Sequence, residues 1–168
     1  RARALNLVVF DVDGVLTDSK LYLSDSGEEI KAFNTLDGHG LKMLHASGVE
    51  LAIITGRKSR LVELRAANLG ISLLFQGVSD KLTAFRELLG QLGLQTEQAA
   101  FMGDDLVDLP PMRRAGLAIA VPAAPELVKQ HSHYVTERNG GEGAVREVCE
   151  LIMRAQGSFD AQVARYLE

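Results

Sequence analysis

The chain has 168 residues, of which 46% are hydrophobic and 24% charged, and its formal net charge is −4. A chain of this length suits one domain, residues 1–168, and the single cysteine, Cys149, excludes a disulfide within the chain. The negative charge disfavours nucleic acid as a partner, and no apolar run approaches the roughly 20 residues that span a membrane.

Short apolar segments alternate along the chain with amphipathic segments of helical length. Strands that are apolar at nearly every position are typical of a parallel sheet with helices on both faces. The alternation predicts a doubly wound α/β fold with a mostly parallel sheet. We expect strands at 5–10, 49–55, 73–75, 99–103, 117–121 and 134–136. We expect helices at 38–46, 58–69, 81–92, 107–114, 125–130 and 143–155.

Three segments stand outside this alternation. Residues 19–34 predict a protruding β-hairpin, because apolar residues at 21–23 and 30–33 flank a turn at Gly27. A hairpin with apolar side chains on both faces is marginal alone, so it packs on its own domain or on another subunit. The tail, residues 157–168, shows no obvious role in the core. The first nine residues are too short for a signal peptide, so we expect a cytoplasmic protein.

Polar side chains follow four of the predicted strands at the point where each strand ends. In open α/β sheets, ligands bind beyond the carboxyl ends of the strands, so these side chains converge if the strands are neighbours. They are Asp11 and Asp13 after the first strand, Thr55, Gly56 and Arg57 after the second, Lys81 after the third, and Asp104, Asp105 and Asp108 after the fourth.

Such a set of residues indicates a metal ion and an anionic substrate. Crowded carboxylates repel one another and stay ionised together only around a cation. A set without histidine or cysteine favours a hard ion, Mg²⁺ before Ca²⁺. The added lysine and arginine indicate an anionic substrate, most plausibly a phosphate. Any one of these residues alone is as readily a helix cap or a solvated side chain, and only the ordered set favours a site.

Four motifs resemble those of the haloacid dehalogenase superfamily, and they occur in the same order. They are DVDGVLTD at 11–18, TGR at 55–57, Lys81, and GDDLVD at 103–108. The resemblance implies a Rossmann-like domain and Mg²⁺-dependent phosphoryl transfer. It implies that Asp11 is a nucleophile that forms an aspartyl phosphate, and that Asp13 is the general acid and then the general base.

The same resemblance implies how the remaining site residues act. Mg²⁺ would be held by Asp11, by the backbone carbonyl of Asp13 and by Asp104. Thr55 and Lys81 would hold phosphoryl oxygens. Asp105 and Asp108 would support the metal and the lysine.

The chain leaves no room for a cap domain over the site. One hairpin, one helix and one strand fill the segment between Gly14 and Thr55, and one helix and one short strand lie between Arg57 and Lys81. A capless site is open and needs walls from elsewhere. We therefore expect a homo-oligomer with active sites at subunit boundaries.

Two longer segments, residues 14–71 and 133–157, resemble the 3-deoxy-D-manno-octulosonate 8-phosphate phosphatases. The resemblance implies a cytoplasmic, Mg²⁺-dependent homotetramer with its hairpins at the centre. Such an enzyme releases phosphate from a phosphorylated eight-carbon sugar acid for lipopolysaccharide synthesis. Besides Asp13 and Lys81, the resemblance implies substrate-binding roles for Asn34, Thr35, Leu36, Asp37, Gly38, Lys42, Gly56, Arg57 and Arg65.

Two rival hypotheses remain at the level of sequence. One is a phosphatase for a nine-carbon, sialic-type sugar acid 9-phosphate, with the same chemistry and architecture. The other is a non-catalytic tetramerisation domain. The intact set of Asp11, Asp13, Lys81 and Asp104 argues against an idle domain, which has no reason to keep it.

Overall fold

The structure, a computed structural model, describes residues 1–167 and contains eight strands within them. The strands are β1 (Leu7–Phe10), β2 (Tyr22–Leu23), β3 (Glu29–Ile30), β4 (Glu50–Ile54), β5 (Leu73–Phe75), β6 (Ala99–Gly103), β7 (Leu117–Ala120) and β8 (Tyr134–Val135). Six of them form one sheet in the order β5-β4-β1-β6-β7-β8, and every pairing in it is parallel. The predicted α/β class and parallel sheet are confirmed.

Helices connect the strands. They are α1 (Thr35–Ala46), α2 (Arg60–Leu69), α3 (Lys81–Leu92), α4 (Leu109–Met112), α5 (Glu126–Gln130), α6 (Ala144–Gln156) and α7 (Phe159–Ala164). Right-handed crossovers, the rule for parallel strands, would place α1 and α2 on one face of this strand order and α3 to α5 on the other. The helix contacts agree with this division, because α1 contacts α2 and α3 contacts α4. Helix α6 packs on α1. None of the helices among residues 1–167 has both the length and the apolar character that crossing a membrane requires.

The core lies on both faces of the sheet, and its central strands are buried throughout. Every residue of β1, β6 and β7 is buried, which explains why these strands are apolar at successive positions. Phe85 of α3 meets Phe101 of β6 edge to face, with ring centroids 5.8 Å apart. No cap domain is inserted before Thr55 or before Lys81, as the sequence predicts.

Four sequence predictions need correction, two on helices and two on the hairpin and the tail. The helix predicted at 107–114 is a 3₁₀ turn, Leu106–Asp108, followed by the single turn of α4. Pro110 and Pro111 lack the N–H groups that a continuous helix would need there. Helix α1 begins three residues early, because the side chain of Asn34 accepts hydrogen bonds from Leu36 N (2.8 Å) and Asp37 N (3.2 Å).

The hairpin is present, but its paired strands are only two residues each and shorter than predicted. The expectation that the tail has no role in the core is wrong for its first part. Phe159 and Val163 of α7 pack against the core, and the Arg154 guanidinium lies 3.6 Å from the centre of the Phe159 ring. The last residue of the predicted tail, Glu168, lies outside the described residues.

Candidate active site

One pocket at the carboxyl ends of β1, β4 and β6 brings half of the predicted site residues together. These three strands are neighbours in the sheet, so the residues that follow them meet at one edge. The pocket, which we call the aspartate pocket, has a volume of about 340 Å³. Its predicted members are Asp11, Asp13, Thr55, Gly56, Arg57, Lys81, Asp104 and Asp105; Ser19 and Val107 also line it.

A larger pocket of about 670 Å³ lies at the opposite ends of the strands, beside the starts of β1 and β4. Arg3, Asn6 and Arg154 are among its lining residues, and it contains no carboxylate. The aspartate pocket is the better candidate for an active site, because it combines carboxylates with a lysine and an arginine, although it is smaller.

Lys81 joins two carboxylates at the base of the aspartate pocket. Its Nζ lies 2.9 Å from Asp11 Oδ1 and 2.6 Å from Asp108 Oδ1, and all three side chains are buried. Burial lowers the pKa of Lys81, but the charges of Asp11 and Asp108 outweigh it and leave that pKa above its ordinary value. The lysine is therefore held as a cation against Asp11.

Asp108 and Asp105 differ in what they support. Asp108 is fully buried, and its second oxygen accepts hydrogen bonds from the backbone N–H groups of Asp104 (3.1 Å) and Asp105 (3.2 Å). Asp105 is exposed, and its side chain accepts from Leu106 N at 2.7 Å. Asp108 thus fixes both the lysine and the backbone that carries Asp104, whereas Asp105 caps a 3₁₀ turn.

Oxygen atoms of Asp11, Asp104 and Asp108 lie within 4.8 Å of one another, a spacing that suits a metal ion. Both oxygens of Asp108 already contact Lys81 or backbone N–H groups, which leaves Asp11 and Asp104 as the better candidate ligands. Burial, followed by the charge of Asp108, raises the pKa of Asp11 to about 6. Burial and the charges of Asp11 and Asp108 raise the pKa of Asp104 to about 7. A divalent cation would relieve this repulsion, and an all-oxygen donor set fits Mg²⁺.

The loop from Gly14 to Ser19 holds Asp104 closely. Ser19 Oγ donates to Asp104 Oδ2 at 3.3 Å, and the Ser19 backbone has φ 65°, a conformation uncommon outside glycine. Gly14 has φ 94°, and a side chain there would collide with the Asp104 carboxylate. Glycine is therefore required directly after Asp13.

Sequence reasoning missed two charged residues beside Asp13. Lys31 Nζ lies 2.5 Å from Asp13 Oδ1 and 3.4 Å from Glu29 Oε1, and Glu29 Oε1 also accepts from Arg57 Nη2 at 2.7 Å. Glu29 and Lys31 are two residues apart at the end of β3, so they share a face of that strand. That spacing indicates a shared face, but it does not show that this face lies against the site.

The predicted substrate segment, residues 34–38, lies outside the aspartate pocket. Asn34 caps α1, and Leu36 is 54% exposed. Asp37 is buried and accepts from Arg146 N at 2.8 Å, and burial raises the pKa of its carboxyl group. Arg65 donates to the backbone oxygen of Asn34 at 3.1 Å.

Another pocket, of about 210 Å³, lies between α1 and α2, and we call it the α1–α2 pocket. Its predicted members are Thr35, Gly38, Lys42 and Arg65. The aspartate pocket and the α1–α2 pocket share no lining residue. The structure therefore divides the predicted substrate residues into two groups on one chain.

A glycine-rich segment, residues 139–143, backs the loop that carries Asp13; we call it the glycine loop. Gly141 N donates to Val15 O at 3.1 Å, and Gly141 O accepts from Asn34 Nδ2 at 3.2 Å. A side chain at Gly140 would collide with the carbonyl oxygen of Gly14. The glycine loop thus connects the Asp13 loop to the segment at Asn34.

A parallel sheet that delivers Asp11, Asp13 and Asp104 to one pocket beside Lys81 defines a haloacid dehalogenase-like hydrolase. A family model of haloacid dehalogenase-like hydrolases matches residues 71–148. The chain belongs to the 3-deoxy-D-manno-octulosonate 8-phosphate phosphatase family, because curated members match almost its whole length. The Yersinia pestis phosphatase KdsC is 51% identical over 95% of this chain and 86% of its own. The Escherichia coli K12 phosphatase KdsC is 50% identical over 95% of this chain and 85% of its own.

Solved structures agree with this assignment. The Moraxella catarrhalis 3-deoxy-D-manno-octulosonate 8-phosphate phosphatase has a TM-score of 0.96 and 48% identity, covering 98% of this chain and 95% of its own. It was solved in complex with a magnesium ion, a phosphate ion and a KDO molecule. The cobalt-bound Haemophilus influenzae enzyme has a TM-score of 0.93 and 41% identity, covering 99% of both chains.

Proposed function

We propose that this chain is a Mg²⁺-dependent phosphatase that hydrolyses 3-deoxy-D-manno-octulosonate 8-phosphate to the free sugar acid and phosphate. The observation that carries the proposal is the aspartate pocket, where Asp11, Asp13, Lys81 and Asp104 meet in a member of this phosphatase family. The named relatives favour the eight-carbon ester over a nine-carbon one, and the intact pocket argues against an idle tetramerisation domain.

With Asp11 as the nucleophile and Asp13 as the proton carrier, the reaction has two steps. The Asp11 carboxylate attacks phosphorus, so that an Asp11 O–P bond forms while the bond from phosphorus to the sugar oxygen breaks. Asp13 donates a proton to the leaving sugar oxygen. Asp13 then accepts a proton from the water that attacks the aspartyl phosphate, which releases phosphate and restores Asp11.

Other side chains hold the phosphoryl group and its charge. Lys81 lies 2.9 Å from Asp11, so it can screen the nucleophile and contact a phosphoryl oxygen together with the Thr55 hydroxyl. Asp11, Asp104 and the Asp13 carbonyl would hold Mg²⁺, which supplies neutralisation of charge between carboxylate and phosphate.

The cations of the α1–α2 pocket suit the sugar acid carboxylate. Arginine presents a planar fork that matches a carboxylate, and Lys42 adds a second charge beside Arg65. Because the two pockets share no residue, we assign the α1–α2 pocket and the segment 34–38 to the substrate of a neighbouring subunit. We assign Gly56 and Arg57, which line the aspartate pocket, to binding near the phosphate of the same chain's substrate.

This division requires an oligomer, and we propose a homotetramer assembled through the hairpin at 19–34. Leu21, Leu23 and Ile30 are 56%, 66% and 60% exposed, an apolar surface typical of an interface. Each chain would then be a single phosphatase domain of residues 1–168, working in the cytoplasm in lipopolysaccharide precursor synthesis. The tail after α6 would complete the domain.

A panel of phosphate esters at equal concentration tests the proposal. With Mg²⁺ present, we expect the highest kcat/KM for the octulosonate 8-phosphate. A much higher kcat/KM for the nine-carbon 9-phosphate would instead assign the first rival function. Absence of phosphate release from every ester would favour the tetramerisation domain.

A further inference from the structure

A buried lysine of the hairpin contacts the carboxylate that the proposed function assigns to proton transfer. The side chain of Lys31 is only 2% exposed, although its neighbour Ile30 is 60% exposed. Its Nζ lies between Asp13 Oδ1 and Glu29 Oε1, at 2.5 and 3.4 Å. Among residues 1–167, Lys31 is the one side chain that donates a hydrogen bond to the Asp13 carboxylate.

Burying the Lys31 ammonium group costs desolvation free energy, and a nearby carboxylate offsets that cost. An ammonium group taken out of water is strongly disfavoured unless carboxylates surround it. Lys31 has two, and the nearer one belongs to Asp13. The contact uses Oδ1 of Asp13, whose side chain is 26% exposed and lines the aspartate pocket, so Oδ2 is not engaged by Lys31.

Lys31 does not line the aspartate pocket, whereas Asp13 and Arg57 do. It therefore approaches Asp13 from outside the space that a substrate would occupy. Glu29 extends the connection, because its Oε1 also accepts from Arg57 Nη2 at 2.7 Å. A chain of three ion pairs thus runs from Asp13 through the hairpin to Arg57.

We propose that Lys31 is a positioning residue for Asp13. By binding Oδ1, it holds the carboxyl group in the orientation that lets Oδ2 transfer a proton to the leaving oxygen. The hairpin, which carries Lys31, is thereby coupled to the chemical step. This inference rests on the proposed function, in which Asp13 is the general acid.

The test compares two esters that differ in their need for a proton. The sugar phosphate expels an alkoxide, which requires protonation as it leaves, whereas p-nitrophenyl phosphate expels a stable phenolate that does not. In Lys31→Met, which keeps the length and removes the charge, kcat/KM for the octulosonate ester should fall about 10- to 100-fold. For p-nitrophenyl phosphate we expect less than a threefold change.

Matched variants separate positioning from simple damage to the hairpin. Asp13→Asn should give the same dependence on the leaving group, with a larger loss. Lys31→Arg, which keeps the charge, should recover part of the activity on the sugar ester. Lys129→Met removes a lysine of α5 that pairs with Glu126 and lines neither the aspartate pocket nor the α1–α2 pocket, and it should behave as wild type.

Equal losses on both esters in Lys31→Met, or no loss on either, would overturn the positioning role. Wild-type protein that releases no phosphate from either ester would refute the proposed function itself. The two failures are distinguishable, because the first requires an active wild-type enzyme.

Discussion

Asp11 and Asp13 are separated by one residue, yet their surroundings differ. Asp11 is buried and contacts Lys81 from within the pocket, whereas Asp13 has a 26% exposed side chain and contacts Lys31 of the hairpin. A nucleophile needs a fixed, ionised oxygen, and a proton carrier needs access to the leaving group and to water. The two environments match the two roles proposed for them.

Asp108 should matter more than Asp105 for both stability and activity. Replacing Asp108 with Asn leaves Lys81 with a single carboxylate in a buried site, and breaking such a pair costs about 3–5 kcal/mol. We expect a loss of this order in the free energy of unfolding, measured in urea, and a large loss of phosphate release. Asp105→Asn, at the exposed neighbour, should change both much less, and the reverse order would contradict this arrangement.

The raised pKa values of Asp11 and Asp104 predict how stability depends on pH without metal. From an ordinary value of 3.8, they rise to about 6 and about 7 in the folded chain. Between about pH 4 and 7 the folded chain therefore binds more protons than the unfolded chain, and its stability falls as pH rises. Below this range both carboxyls are protonated in either state, and above it the full repulsion is present.

Mg²⁺ competes with those protons, so it should stabilise the protein more at pH 8 than at pH 5. Urea unfolding with and without Mg²⁺ at the two pH values measures this difference. In Asp104→Asn, Mg²⁺ should raise the free energy of unfolding only slightly at pH 5 and at pH 8. An equal gain at both pH values in the wild type would contradict the assignment of these carboxylates as ligands.

Sequence predicted the residues of the aspartate pocket well, because each follows a strand and neighbouring parallel strands end at one edge. Lys31 and Glu29 were missed for a physical reason. They come from the short hairpin, whose apolar residues dominate its pattern, and nothing local in the sequence places its end beside Asp13. Asp108 was predicted, but only the structure shows that it holds Lys81 and two backbone N–H groups together.

At the scale of the elements, the glycine loop explains why the segment after β8 contains so many glycines. Gly140 lies against the carbonyl of Gly14, and Gly141, with φ 68°, lies against Thr17 and Asp18. Side chains there would separate the glycine loop from the loop that carries Asp13. This segment therefore acts on the site through backbone contact.

Gly140→Ala tests that contact. The added methyl meets backbone atoms rather than a flexible side chain, so one of the two loops must move. We expect a loss of about 1–3 kcal/mol in the free energy of unfolding and a lower kcat. Gly90→Ala is the matched control, since a methyl at this exposed position of α3 has no atom nearby, and it should stabilise by about 0.5–1 kcal/mol. Wild-type stability and kcat in Gly140→Ala would contradict the close approach.

Element boundaries show where sequence patterns reach their limit. The strands were predicted from their apolar runs, and β5 and β6 are found at the predicted residues. The start of α1 was missed because a side-chain cap at Asn34, rather than apolar periodicity, determines it. The segment at 107–114 has helical spacing, but two prolines and the bonds of Asp108 impose a different backbone.

At the scale of the whole molecule, one chain forms the six-stranded sheet and its core, whereas the proposed substrate site would need a second subunit. The proposed second subunit rests on the exposed leucines and isoleucine of the hairpin and on the separation of the α1–α2 pocket from the aspartate pocket. The missing cap led to the same expectation from sequence, and the oligomer stays a prediction. Sequence could not predict the arrangement of subunits, because that depends on contacts between chains.

Charge on the hairpin should dissociate the assembly. In Leu23→Lys/Ile30→Lys, two residues exposed in the single chain become cationic, and like charges would face one another in the proposed interface. We expect light scattering to report a tetramer for wild type and a smaller species for the variant, with a higher KM for the sugar ester. Leu127→Lys alters a leucine of α5 that is 48% exposed and should leave the assembly intact. A variant of wild-type mass would contradict assembly through the hairpin.

Phosphate release from 3-deoxy-D-manno-octulosonate 8-phosphate, measured with and without Mg²⁺ for wild type and Asp11→Asn, tests the central claim most directly. We expect release by the wild type only when Mg²⁺ is present, and none by Asp11→Asn under either condition. Release by Asp11→Asn at the wild-type rate, or no release by the wild type with Mg²⁺, would contradict it.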